Sequence, residues 1–233
     1  MAARARHAGF TLVELLVALF AMALLAVMSW RGLDGMTRAQ EQTQARADDV
    51  LTLQVALAQW AADLDALIQL PQTSALDWNG RVLRIVRRSS MAPGEGVVVA
   101  AWSRREVEGR GTWLRWESAP VTTREQLQRA WLQADIWSQN PGEEERRREV
   151  AVAPLAEWQI FYFRGGAWSH PLSSDAAAAA PALPASAPVA PALPLTVLPD
   201  GVRLVLTLPP GPSITGVLTR DWVRPTFSGG KSS

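Results

Sequence analysis

An unbroken apolar run over residues 10–30, FTLVELLVALFAMALLAVMSW, constrains this chain more than anything else in it. Wound as an α-helix, the run is long enough to cross about 30 Å of hydrocarbon. Its one charge, Glu14, lies near the start. A carboxylate inside a membrane segment costs roughly 3 kcal/mol or more, so it is retained for a reason. Arg4 and Arg6 precede the run and favour a cytoplasmic N-terminus, while Arg31 and Arg38 follow it on the far side. A secretory signal peptide has a shorter apolar core and a small-residue cleavage site, and no such site precedes a polar domain here. An ordinary signal anchor fits the length and flanks but leaves Glu14 without a purpose. A third kind of segment accounts for Glu14 and the Gly9-Phe10 junction together.

GFTLVELLVAL, with its short basic leader, resembles the class III signal of type IV pilins and type II secretion pseudopilins. The resemblance implies that a prepilin peptidase cuts after Gly9 on the cytoplasmic side and methylates the new N-terminal Phe10. It makes Glu14 the glutamate at the fifth mature position. The physics is consistent with that account. A cleaved Phe10 carries a cationic amine, and Glu14 can pair with the amine of a neighbouring subunit in a filament core. A buried charge is tolerable when it is paired, so assembly relieves a cost that the lipid-embedded monomer carries. Cleavage removes Arg4 and Arg6 and takes the side-chain charge from +1 to −1. Assembly should then depend on helix packing, with Ala18, Ala21, Ala23 and Ala26 permitting close approach in the membrane.

The helix is expected to continue beyond the membrane over 31–70, because no proline intervenes before Pro71. Val50, Leu53, Leu57, Trp60, Leu64 and Leu67 recur at steps of three and four and define one apolar stripe. Asp48, Asp49, Gln54, Gln59 and Asp63 are expected on the opposite face. Gly32 and Gly35 each weaken the helix by up to about 1 kcal/mol relative to Ala and suggest a softened joint. WRGLDGM resembles the corresponding stretch of the minor pseudopilin J family. A coiled-coil dimer is disfavoured, because the regular stripe is short and the flanking charges pair poorly.

Beyond Pro71 the pattern changes to short β-type runs: RVLRIVRR (81–88), GVVVAAWSR (96–104) and GTWLRWES (111–118). Turns are expected at Ala92-Pro93-Gly94 and over 108–111. GTWLRWES alternates, with Trp113, Arg115 and Glu117 on one side and Leu114 and Trp116 on the other. EWQIFYFRGGAWS (157–169) has the form of a hairpin turning at Gly165-Gly166, and DGVRLVLTLP (200–209) with ITGVLTRDWV (214–223) forms a last strand pair. The expectation is one antiparallel sheet of about six or seven strands, one face of which takes the helix stripe. Residues 123–137 form a short helix or an irregular excursion. The Ala/Pro-rich stretch 173–195 is expected to be a disordered insertion between two strands of the sheet. WNGRVLRIVRRS, the Gly-Gly-x-Trp hairpin and LPDGVRLVLTL resemble the J family more loosely.

Together the resemblances imply an α+β, pilin-like fold. A leader occupies 1–9, a transmembrane helix 10–30 and its amphipathic continuation 31–70. A periplasmic β-rich domain follows over 71–227, with a flexible tail over 228–233. The implied function is that of a component J-like minor pseudopilin at the tip of a type II secretion pseudopilus, anchored in the bacterial inner membrane. Its implied partners are the prepilin peptidase, I- and K-like minor pseudopilins, the major pseudopilin, and the secreted substrate or the secretin. A type IV pilus minor pilin is the alternative, and a signal-anchored periplasmic binding protein or enzyme a more distant one.

The remaining composition points away from other chemistry. There is no cysteine, which excludes disulfides and thiolate catalysis. Net charge is +1, with no basic stripe for nucleic acid. His170 with Ser169, Ser173, Ser174 and Asp175 lacks a nucleophile elbow. Asp63 with Asp65, and the run EEERRR (143–148), match no calcium-loop spacing, and no phosphate-binding loop is present. No cofactor, metal or catalytic residue is expected. The 11 Trp are expected mainly in cores, with a minority as interface anchors.

Overall fold

The computed structural model describes residues 11–71, 73–89, 94, 96–173, 198–211 and 214–225. Gly9, Phe10 and nearly all of the Ala/Pro-rich stretch lie outside them, as do most of the expected 92–94 turn and the tail. The fold is α+β. Among the described residues it consists of a long N-terminal helix, α1 (Leu12–Asp65, 54 residues), followed by antiparallel sheets and two further helices. Residues up to Asp48 form one compact unit and residues from Asp49 onward a second. In the first unit every described residue is exposed, and α1 runs unbroken through Gly32 and Gly35 rather than loosening there.

The second unit contains two sheets, not the single sheet expected. The first is five-stranded, in the order β1 (Leu76–Trp78), β2 (Val82–Arg88), β3 (Val97–Val107), β4 (Arg110–Glu117), β5 (Glu149–Pro154). The second is four-stranded, in the order β7 (Ala167–Ser169), β6 (Glu157–Arg164), β8 (Gly201–Leu208), β9 (Gly216–Val223). All pairings are antiparallel. The split falls between β5 and β6, where Leu155 and Ala156 turn their amides to different strands. Leu155 bonds the Gly111 carbonyl of β4, and Ala156 bonds Thr207 of β8. The strands flanking the Ala/Pro-rich stretch, β7 and β8, belong to the same sheet.

Local chemistry explains the turns. Glu108-Gly109 and Gly165-Gly166 each close a two-residue hairpin loop with positive φ at both positions, the mirror-image turn that matches strand twist. The 123–137 segment is helical: α2 (Arg124–Gln139) starts at Thr123, whose hydroxyl accepts the Gln126 amide while the Gln126 side chain reaches back. This reciprocal cap satisfies two amides that the first helical turn leaves unpaired. The EEERRR run opens a short exposed helix, α3 (Glu143–Arg147).

Two cores share the first sheet. On one face Val82, Val86, Val99, Leu114 and Trp116 pack against Leu127, Ala130, Ala134 and Trp137 of α2. On the other, Leu83, Ile85, Ala100, Trp102 and Trp113 join the last turns of α1 (Leu53, Ala56, Trp60, Leu64) and the inner face of the second sheet (Ile160, Val202, Leu204, Leu206, Trp222). From Leu53 on the stripe turns inward as its spacing predicts, with Leu53, Trp60 and Leu64 buried and Leu57 and Leu67 half-buried, whereas Val50 is 40% exposed. Two details differ from expectation. Asp63 is fully buried rather than on the polar face. The helix also ends at Asp65, before Leu70, because Ala66, Leu67 and Ile68 pair with the end of β2 instead. Trp60 is the largest stripe residue with no exposure. Trp60→Ala should lower unfolding free energy by about 3–5 kcal/mol in a denaturant titration of the detergent-extracted protein, through the cavity it leaves.

Candidate functional site

Two places carry charge in apolar surroundings, one in each unit. The first is the start of α1. Thr11 caps the helix: its hydroxyl accepts the Glu14 amide at 3.4 Å and lies 3.4 Å from Glu14 Oε2. Glu14 thus stands in the first turn, where the helix dipole favours an anion. That position lowers the cost of the charge but does not cover it, since Glu14 and the apolar side chains after it are all exposed. The segment is the one membrane-length apolar helix among the described residues. An uncovered surface of this kind calls for lipid or for other helices.

The second place is the end of α1. The buried Asp63 carboxylate accepts hydrogen bonds from Trp102 Nε1 at 2.8 Å, Arg115 Nε at 2.8 Å, Arg115 Nη2 at 2.9 Å and Gln59 Nε2 at 3.0 Å. Arg87 Nε stands at ion-pair distance, 3.1 Å. Glu117 completes the group, pairing with Arg115 Nη2 at 2.5 Å and with Arg87. Two carboxylates and two guanidinia make a neutral cluster that joins α1 to β2, β3 and β4. Burial pushes the Glu117 carboxyl up, but the Arg115 hydrogen bond and charge, aided by Arg87, outweigh it and hold Glu117 below its ordinary range. Burial likewise pulls Arg115 down, and its bonds to Asp63 and Glu117 more than restore it. Asp65 accepts Trp222 Nε1 of β9 at 2.8 Å. Sequence patterning had set Asp63 and Asp65 aside as a weak metal pair. Their partners lie far along the chain, and only the placement of Asp63 between stripe residues Trp60 and Leu64 hinted at burial.

Other sequence-level candidates fall apart in space. The Ser173 hydroxyl donates to the His170 carbonyl at 2.9 Å, not to the ring, and Ser174 and Asp175 lie outside the described residues. The Glu145 carboxylate caps its own short helix through the Gly142 amide. No group of three or more Asp, Glu or His among the described residues is placed to hold a metal. A hollow of about 170 Å³ between α1 and the β8–β9 loop is mostly apolar, lined by Leu53, Pro154, Leu208, Pro209 and Ile214 with Asp49 and Thr52 at its side.

Residues 4–30 match the model of the prokaryotic N-terminal methylation motif. That motif marks a type IV pilin-like N-terminus, and with the apolar helix it fits a membrane-anchored, single-pass protein. It implies processing by a prepilin peptidase and assembly with pilin-type proteins. No curated protein matches the chain.

Asp63→Ala would leave two arginines and an indole without their shared acceptor. It should cost about 3–5 kcal/mol of unfolding free energy by denaturant titration. Acid should weaken the same cluster. The folded-state pKa of Glu117 is depressed, so its contribution is complete above the ordinary value of 4.5 and is lost as pH falls through the lower folded value. Urea midpoints should therefore drop below about pH 4.5, and the Glu117→Gln variant should show a flatter acid limb.

Proposed function

We propose that this chain is a minor pseudopilin of a type II secretion system, similar to component J, which primes the periplasmic pseudopilus from its tip. The observation that carries the proposal is the methylation motif over 4–30 running into an apolar helix that its own chain leaves bare, with Glu14 exposed in the first turn. Cleavage after Gly9 frees a cationic amine on Phe10. Glu14 is then a buried-site anion waiting for the corresponding amine of a neighbouring subunit, so filament packing relieves a charge that lipid does not. The helix beyond the membrane ends in a folded α+β head exposed to the periplasm. WRGLDGM, the Gly165-Gly166 hairpin followed by Trp168, and LPDGVRLVLTL favour the J-like component over other minor pilins. I- and K-like pseudopilins and the major pseudopilin are its filament partners, and the secreted substrate or the secretin meets the head. The chain itself performs no reaction and is the substrate of the prepilin peptidase.

The mass of the N-terminal peptide tests the class. With the peptidase co-expressed it should begin at N-methylated Phe10, and without it residues 4–9 should remain. Retention of the leader beside an active peptidase would make the segment an ordinary anchor. Glu14→Ala should insert and be cleaved as the parent is, yet enter filaments poorly. A deletion strain that loses type II secretion with twitching intact places the chain in the secretion system, whereas the converse assigns it to a type IV pilus.

A further inference from the structure

The second sheet ends in an open edge. β9 is its outermost strand, and β9 pairs with β8 without a register break. The Arg224 amide donates to the Asp200 carbonyl at 2.8 Å, and the Ala156 amide reaches Thr207 from the β6 side. Both bonds set the same alternation. Gly216, Leu218, Arg220 and Trp222 turn their backbone groups toward β8, while Val217, Thr219, Asp221 and Val223 turn theirs away from the sheet. Among the described residues nothing pairs with those outward groups. Proteins usually blunt such an edge with Pro, Lys, a bulge or a short strand. β9 has eight residues with no Pro, Lys or bulge, and its charges are Arg220 and Asp221.

The side chains along the edge indicate what fits it. Val217 and Val223 are 70% and 71% exposed. Asp221 is held by Arg203 of β8 through two bonds of 2.7 Å, so its charge is already matched. Arg220 is exposed and has no ion-pair partner among the described residues. Two of the registers in which a second copy could pair fit poorly. Two-fold pairing centred on Arg220 sets that arginine against itself, and centring on Asp221 does the same to the aspartate. Centring on Thr219 sets each Val217 against an Asp221. Like charges directly opposite one another destabilise a strand pair.

We propose that the free edge of β9 docks an extended segment of another protein. That segment adds a strand to the sheet, places a carboxylate opposite Arg220 and lays aliphatic side chains beside Val217 and Val223. Main-chain hydrogen bonds supply affinity and the flanking side chains supply selection, as in other strand-addition sites. The inference rests on the head alone and holds whichever filament system the anchor serves.

The test uses the full chain in detergent and two short capped peptides of alternating Val and Thr, one with a central Glu and one with a central Lys. Amide exchange followed by NMR should slow at Val217, Thr219, Asp221 and Val223 by about tenfold or more when the Glu peptide binds. The amides of Leu218, Arg220 and Trp222 should be protected already. The Glu peptide should bind about fivefold tighter than the Lys peptide, and Arg220→Glu should reverse that order without unfolding the head. Absence of protection at the four amides with either peptide, or protection only elsewhere, would overturn the proposal. So would equal binding of the two peptides, or protection of the edge by the protein's own concentration with no peptide present.

Discussion

The head is organised around a carboxylate that belongs, by elementary electrostatics, in the wrong place. Asp63 and Asp65 lie in the last turn of α1, where the helix dipole is negative and no basic residue stands in the same turn to offset them. Asp63 is also stripped of water. What makes the position tenable is the density of donors brought from three strands: the Trp102 indole, the Arg115 fork and Arg87. Buried ion pairs often do little for net stability against an apolar replacement, because desolvation consumes most of the attraction. Their effect here is on specificity. An apolar stripe of Leu53, Trp60 and Leu64 tolerates rotation or sliding of the helix, since any apolar neighbour satisfies it. A carboxylate needing four donors does not. Asp63 therefore sets the rotation of the last turns of α1 against the first sheet, and the Trp222–Asp65 bond ties the same turn to β9 of the second.

The placement of the first sheet between two cores accounts for the character of its sequence. GVVVAAW is continuously apolar, and RVLRIVRR sets the buried pairs Val82-Leu83 and Ile85-Val86 among its arginines, because both faces of β2 and β3 are covered, by α2 on one side and by α1 with the second sheet on the other. β8, packed on one face, keeps a plain alternation of buried and half-buried residues. The six runs read from the sequence as strands all became strands, and the split of Trp113, Arg115 and Glu117 from Leu114 and Trp116 across β4 was correct. Division into two sheets was not legible. A strand's period reveals its faces but not its neighbours, and the switch depends on where the amides of Leu155 and Ala156 find acceptors. β5, EVAVAP, was missed because it mixes weak strand formers with a terminal proline that only an edge position accepts.

The candidate sites divide in the same way. Glu14 was visible at once, because the signal is local: a charge inside an apolar run with a fixed distance to Gly9. Arg87, Trp102, Arg115 and Glu117 each looked like ordinary strand residues. They become a cluster only through contacts that reach as far as 52 positions along the chain. The helix face assigned to Asp63 was wrong for a related reason. Helical spacing places it beside Trp60 and Leu64 as readily as beside Gln59, and chemical type, not geometry, had put it on the polar side.

One helix therefore holds two carboxylates in apolar settings, resolved in opposite ways. Asp63 finds every donor it needs within its own chain, so its charge stabilises one arrangement of one molecule. Among the described residues Glu14 has only the cap hydroxyl of Thr11, a bond of 3.4 Å that leaves most of the carboxylate unsatisfied. Evolution had an easy route to remove it, since Leu or Ala there would strengthen a membrane helix at no cost to the cap. With no cation beside it among the described residues, the charge acts as a demand on the surroundings, and a bilayer cannot meet it. The methylation motif over 4–30 implies assembly with pilin-type proteins, and neighbouring helices are the other surroundings such a segment can meet.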